Sequence, residues 1–330
     1  MKAAVVESVD RIVVKQVRIP DTPPDMVLVQ VKCAGLCGPT DDAILRGYHP
    51  RAKFPLILGH EFSGVVAETG SLVTTVRRGE PVVVNPLISC GVCVLCREGN
   101  SYICERLGLI GIDADGGFAE YCLVPGTALV KIPLQLPHQV AALSEPLAVG
   151  IHSVREAGLT VGHRALIFGA GPIGMLTAEA CRIAGAADIT LVDINERRLG
   201  MARALGYATA RDALALRDDV KFDFVFETTG ASAVLEPALH MVRIKGTVVI
   251  VGKYDIDPPF DLHTVLFKEI TVKGARVYRE GEFLTAVRLL ASDPHRFGRL
   301  ITDCFALDEA ELMIGAFRSK SNVGKLMIIM

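Results

Sequence analysis

Four cysteines lie close together, Cys90, Cys93, Cys96 and Cys104. Three thiols at three-residue intervals, with a fourth eight residues on, can close around one tetrahedral ion. Zinc is the natural fit, because four thiolates satisfy it and leave no open position. A closed site of this kind holds a lobe of chain and does no chemistry. Two disulfides would need an oxidising compartment. The N-terminal residues, Met1 to Ser8, lack the long apolar core of a secretion signal, so a cytoplasmic location is expected.

A second, different set of donors lies apart from these four. Cys37 is followed by Gly38, Gly59 leads into His60 and Glu61, and Glu145 precedes Pro146. One cysteine, one histidine and one or two carboxylates form a mixed set that can leave a zinc position open for water or substrate. Each has an ordinary explanation when taken singly. Cys37 would be a buried thiol, His60 a satisfied core histidine, and Glu145 a surface charge or helix cap. Their joint presence beside a thiolate cluster and the motif described next is what points to chemistry. Of the nine cysteines, Cys33, Cys122, Cys181 and Cys304 read as small buried hydrophobes.

The third feature is Gly169-Ala170-Gly171-Pro172-Ile173-Gly174. It follows a short apolar strand at residues 164–168 and opens a helical stretch to about residue 184. A second strand at residues 189–193 ends on Asp193. In that context the pattern marks a dinucleotide site. Gly169 permits the tight turn, Gly171 lets the backbone approach a pyrophosphate, and Gly174 lets helix and sheet pack closely. Pro172 and Ile173 open the helix whose free N–H groups and positive dipole end meet that pyrophosphate. Asp193 would accept hydrogen bonds from the adenosine ribose hydroxyls. Its charge repels a 2′-phosphate, which favours NAD over NADP. Arg197 and Arg198 follow closely. Either can soften that preference or simply cover a solvated helix face, and Arg198 is placed with the cofactor.

These residues need elements to position them. The chain has 330 residues, half of them hydrophobic, enough for one large or two medium domains. No stretch reaches the ~20 uninterrupted apolar residues of a membrane span. The formal net charge is -2 and the basic residues are dispersed, which gives no footprint for nucleic acid or an anionic membrane. The first part reads as β-rich, with strands at residues 26–32, 62–68, 81–85 and 118–124 among Gly- and Pro-bearing loops. Cys37 begins a loop after the first of these. From residue 164 strands alternate with helices, with further strands at residues 222–226, 247–251 and 270–272. This alternation implies a parallel sheet with crossover helices. The tail has helical patterning at residues 283–290 and 309–317. It ends in an apolar run, residues 326–330, that docks as a final strand.

In their order and spacing, these motifs resemble the zinc-dependent medium-chain dehydrogenase/reductase family, the zinc alcohol dehydrogenases, over essentially the whole chain. The stretch from Ala142 to His152 looks like the polyol and sugar branch, similar to sorbitol, glucose, threonine and galactitol dehydrogenases. The resemblance implies an α/β protein of two domains. A GroES-like β-rich catalytic domain would span residues 1–148 and 277–330, and a Rossmann domain with a doubly wound parallel sheet residues 149–276. It implies Cys37 and His60 as ligands of a catalytic zinc. Glu61 is either a ligand or a carboxylate behind the ligands, and Glu145 is its counterpart; in this branch the two exchange with water during turnover. Two zinc ions per subunit, NAD and a homodimer or homotetramer follow from the same likeness.

One departure touches the proton path. The family reads Cys-Gly-Ser/Thr-Asp where this chain has Cys37-Gly38-Pro39-Thr40-Asp41. If Pro39 is a one-residue insertion, Thr40 and Asp41 match and Thr40 relays the proton. If Pro39 occupies the hydroxyl position, the relay starts at water or another residue. A histidine often found two residues after that aspartate is replaced by Ala43, and His49 is a possible substitute. Tyr48 and the segment Ala275-Arg276-Val277-Tyr278 match family regions that approach the substrate. Arg276 or Tyr278 would bind extra hydroxyls or make an interdomain contact.

The expected reaction is hydride transfer from a secondary alcohol, a polyol or sugar, to NAD, giving the ketone. A dehydrogenase of threonine or another alcohol is the alternative within the family. A catalytically silent NAD-binding or redox-sensing protein is the alternative outside it. Zinc-free relatives generally lack both ligand sets, which this chain retains.

Overall fold

A computed structural model describes residues 1–216, 219–319 and 323–330. The chain divides into two compact units, Met1–Glu145 with Arg279–Met330, and Pro146–Tyr278.

The first unit is built on the strand Met26–Gly35. Its alternating β-branched residues put Val27, Val29 and Val31 into the core. The strand runs past the β-branched stretch because Cys33, Ala34 and Gly35 go on pairing with Ser63, Phe62 and Glu61 of the strand Glu61–Thr69. Beyond Glu61–Thr69 lie Pro81–Val84 and Leu129–Lys131; on the other side lie Lys325–Ile329 and then Ile301–Ala306. The apolar C-terminal run thus docks as a strand, antiparallel to Met26–Gly35, with Met327 opposite Gly35. Tyr121–Pro125 also pairs with Met26–Gly35. Phe118, expected in that strand, lies before it, fully buried and bonded by its backbone to Ala4 and Leu58. A smaller sheet of Lys2–Ser8, Arg11–Gln16 and Leu56–Ile57 completes the unit.

Two expectations need correction here. Cys37 does not begin a loop; it caps the helix Gly38–Leu45, which carries Pro39 in its first turn. Proline is tolerated there because that turn has no intrahelical acceptor for its N–H. Nor is Cys304 buried, although Cys33, Cys122 and Cys181 are. Cys304 sits on Ile301–Ala306, the outermost strand on its side of the sheet, where most side chains stay open to solvent.

The second unit is a parallel sheet in the order Ala208–Ala210, Asp188–Val192, Arg164–Phe168, Phe222–Glu227, Val242–Ile250, Thr271–Gly274. Ala165, Leu166 and Ile167 are fully buried, as a central parallel strand requires. Successive strands step outward from Arg164–Phe168 in one direction, then from Phe222–Glu227 in the other. This is the α/β doubly wound arrangement, and its topological switch point lies between those two strands. Asp193 falls one residue beyond Asp188–Val192 rather than within it.

Candidate functional site

The four clustered cysteines come together. Cys93 precedes the short helix Val94–Arg97, and the turn Ser101–Ile103 delivers Cys104. Their sulfurs all lie within 4.8 Å of one another. Backbone N–H groups point at them: those of Cys90 and Arg106 each donate to Cys104 Sγ at 3.3 Å, and that of Cys93 donates to Cys90 Sγ at 3.4 Å. Donation from the Val92 and Cys93 backbone holds the Cys90 thiol at about 5, as a thiolate ligand needs. The donor set fits a closed, four-thiolate zinc.

The mixed set also assembles. Cys37 Sγ, a ring nitrogen of His60 and a carboxylate oxygen of Glu61 lie within 4.8 Å of one another. The sheet register explains why: Glu61 opens its strand opposite Gly35, two residues before Cys37. Asp41, fully buried, accepts the Cys37 N–H at 2.9 Å through one oxygen. Its other oxygen lies 3.8 Å from His60 Nδ1. Glu145, in the first turn of the helix Ser144–Ala157, is buried but stands outside the close group of three. Its charge nevertheless reaches His60.

The electrostatics call for a cation. Burial works against a charged His60, yet the Cys37 thiolate, Asp41 and Glu145 outweigh it and raise the imidazole to about 10. Burial pushes the Asp41 carboxyl up to about 6 against the pull of His60. A dication placed among the three donors would answer the same negative potential and displace the His60 proton. The residues therefore fit a zinc ion.

Lys325 is the residue that sequence reasoning missed. It is 3 % exposed and forms an ion pair with the 1 % exposed Glu61. Its position follows from two registers, Met327 opposite Gly35 and Gly35 opposite Glu61. Gly35 makes the room: a Cβ there would stand 2.6 Å from Glu61 Oε2 and 2.9 Å from Lys325 Cε. A lysine ahead of an apolar run carries no such signal in the sequence.

The remaining candidates differ in their burial. Thr40 is half-buried and Pro39 exposed on the Gly38–Leu45 helix. His49 Nδ1 accepts from the Arg51 N–H within its own turn. Tyr48 is largely exposed, Arg276 is exposed, and Tyr278 is fully buried.

In the second unit the glycine motif forms its tight turn with Gly169 at φ 99°. A Cβ on Gly174 would stand 1.8 Å from the Gly169 carbonyl oxygen, so only glycine fits there. The helix Pro172–Ile183 has no side chain capping its first turn, which leaves N–H groups free for an anion. Asp193 is tied to this loop: one oxygen accepts the Ala170 N–H at 2.8 Å and the other the Asn195 N–H at 2.8 Å. A carboxylate has lone pairs left for ribose hydroxyls. Of the two arginines, Arg198 lies 3.8 Å from Asp193, while Arg197 is exposed.

Comparison with known proteins gives a consistent result. Residues 23–134 match the family model described as alcohol dehydrogenase GroES-like domain, and residues 172–292 that of zinc-binding dehydrogenase. The chain is 36% identical over 311 residues to D-altritol 5-dehydrogenase of Agrobacterium fabrum, covering 91% of this chain and 90% of that one. It is 33% identical over 329 residues to L-threonine 3-dehydrogenase of Bacillus velezensis, with coverage of 96% and 94%. Among solved structures it matches a Sinorhizobium meliloti protein described as a zinc-binding dehydrogenase, bound to NADP. There the TM-score is 0.92 at 34% identity, over 100% of this chain and 99% of that one.

Proposed function

The chain belongs to the zinc-dependent medium-chain dehydrogenase/reductase family, the zinc alcohol dehydrogenases, and on that premise we propose that it oxidises a secondary alcohol of a polyol or sugar to the ketone, with NAD as hydride acceptor. The observation that carries the reading is the mixed donor group Cys37, His60 and Glu61 in one unit and the Gly169–Gly174 loop with Asp193 in the other. Bound zinc supplies a Lewis acid that acidifies an alcohol hydroxyl, and bound NAD takes the hydride.

The protein's own residues do the rest. Cys37 and His60 hold the catalytic zinc, with Glu61 and Glu145 as the carboxylates that complete the set in turn. Asp41 fixes the start of the Gly38–Leu45 helix through the Cys37 N–H and sets a negative charge beside His60. Thr40 relays the proton of the substrate hydroxyl, taking it on Oγ1 while its own hydroxyl proton passes to water. Cys90, Cys93, Cys96 and Cys104 hold a second, structural zinc, making two per subunit. Gly169, Gly171, Pro172, Ile173 and Gly174 seat the pyrophosphate, and Asp193 with Arg198 seats the adenosine ribose. The Asp193 charge supports NAD over NADP. A cytoplasmic homodimer or homotetramer is part of the same reading.

A second reading, threonine as substrate, is supported by the near full-length similarity to L-threonine 3-dehydrogenase. The test is reduced-cofactor formation from NAD and from NADP across polyols, aldoses, threonine and simple alcohols, with a chelator control. Chelator-sensitive activity on a polyol or sugar with NAD supports the proposal. Threonine as the best substrate replaces it with the second reading. No activity in a zinc-loaded sample that binds NADH refutes both.

A further inference from the structure

We propose that Glu227 is a positioning residue for the dinucleotide: it staples the turn that forms the second wall of the switch-point crevice and, through that turn, fixes the shape of the glycine loop. The inference rests on the dinucleotide reading of that loop. Glu227 ends the strand Phe222–Glu227, next in the sheet to Arg164–Phe168, which feeds Gly169. Ligands of doubly wound sheets bind at the carboxyl ends of the two strands flanking the switch point.

The Glu227 side chain is fully buried. One oxygen accepts from the Thr229 N–H at 2.6 Å, the Thr229 hydroxyl at 2.5 Å and the Gly230 N–H at 3.0 Å. Its backbone carbonyl accepts the N–H groups of Val251 and Gly252, both at 2.9 Å. The loops after two neighbouring strands are therefore drawn together at this residue. Its second carboxylate oxygen and the hydroxyl of Tyr254 on the next loop are both buried. Burial, then hydrogen bonding to Glu227 and its charge, raise that hydroxyl well above its ordinary pKa. A buried carboxylate is costly unless its oxygens are held by donors, and the donors gathered around Glu227 meet that cost.

The turn it staples touches the glycine loop. The Thr228 hydroxyl donates to the Phe168 carbonyl at 2.7 Å. A Cβ on Gly169 would stand 2.7 Å from Thr228 Oγ1 and 2.9 Å from Thr229 Cγ2. The tight turn under the pyrophosphate is thus braced by Thr228 and Thr229, and these in turn by Glu227. No local pattern singles Glu227 out: its turn partners Thr229 and Gly230 are near in sequence, but only the strand order sets that turn beside the glycine loop.

The test is fluorescence titration of NADH with wild type, Glu227→Ala, Glu227→Gln and Thr228→Val. Alongside, it takes KM for NAD and for the best alcohol of the panel, zinc content and melting temperature. Loss of a hydrogen bond to a charged group predicts about tenfold weaker NADH binding in Glu227→Ala, with KM for NAD rising in step and alcohol KM and zinc content unchanged. Glu227→Gln keeps an oxygen for the three donors and should restore binding to within about threefold. Thr228→Val should weaken it by about fivefold; if Glu227→Ala does not fold, this variant decides. Wild-type-like NADH binding in both Glu227→Ala and Thr228→Val overturns the inference. So does a loss of melting temperature and zinc together with a rise in every KM. A wild type that binds no NADH overturns the dinucleotide reading itself.

Discussion

Lys325 and Glu61 show how the mixed site balances its charge. Both are buried, and the thiolate, imidazole and carboxylates around them leave few donors for a second anion. Removing one partner of a buried ion pair costs about 3–5 kcal/mol, because the other charge is stranded. Lys325→Met should therefore destabilise the metal-free protein by about that amount. The zinc-loaded protein should lose much less, since the ion supplies the missing positive charge. Melting curves with and without zinc read the difference, and equal losses in both states would remove Lys325 from the site's electrostatics. Thr40 is tested by its hydroxyl. A positioned proton relay contributes on the order of a hundredfold or more, so Thr40→Val should lower kcat by about that factor and change KM for the alcohol little. A kcat within about threefold of wild type would assign the proton to water or to another residue.

The segment that bears the four clustered cysteines consists of short turns whose N–H groups converge on sulfur. Such a lobe has little apolar core of its own and depends on its ion. Cys93→Ser should lower the melting temperature by roughly 4–8 °C, equivalent to about 2 kcal/mol, before it alters KM for either substrate; a stable variant with selective loss of turnover would contradict a structural role. The spacing of these cysteines and the glycine loop were legible in the sequence because each is local: ligand or phosphate contacts lie within one turn or one strand–helix junction. The strands at residues 164–168 and 222–226 were legible as short, mostly apolar segments interrupted only by Arg164 and Asp223. Lys325 and Glu227 were not legible as site residues, because what places them at the sites is strand register for Lys325 and strand order for Glu227. Cys304 was misread because hydropathy cannot tell a central strand from the edge of a sheet. The helix at Gly38–Leu45 was hidden by its opening Gly-Pro, which reads as a loop.

At the scale of the whole molecule, the donors for metal and the seat for dinucleotide belong to separate compact units, each with its own sheet. Stripping the metal with a chelator should therefore abolish turnover while NADH affinity stays within about threefold; parallel loss of both would tie the glycine loop to the metal for its folding. The distribution of thiols adds a practical consequence. Among the nine cysteines only Cys304 is exposed, while Cys37 and the lobe cysteines are the ones that metal would occupy. A thiol reagent applied to the loaded protein should consume Cys304 first and halt. After chelation, Cys37, Cys90, Cys93 and Cys96 become available to it. The stoichiometry of alkylation is then a direct gauge of metal occupancy, and Cys304 a ready point for attaching a dye or a surface without disturbing either set of ligands.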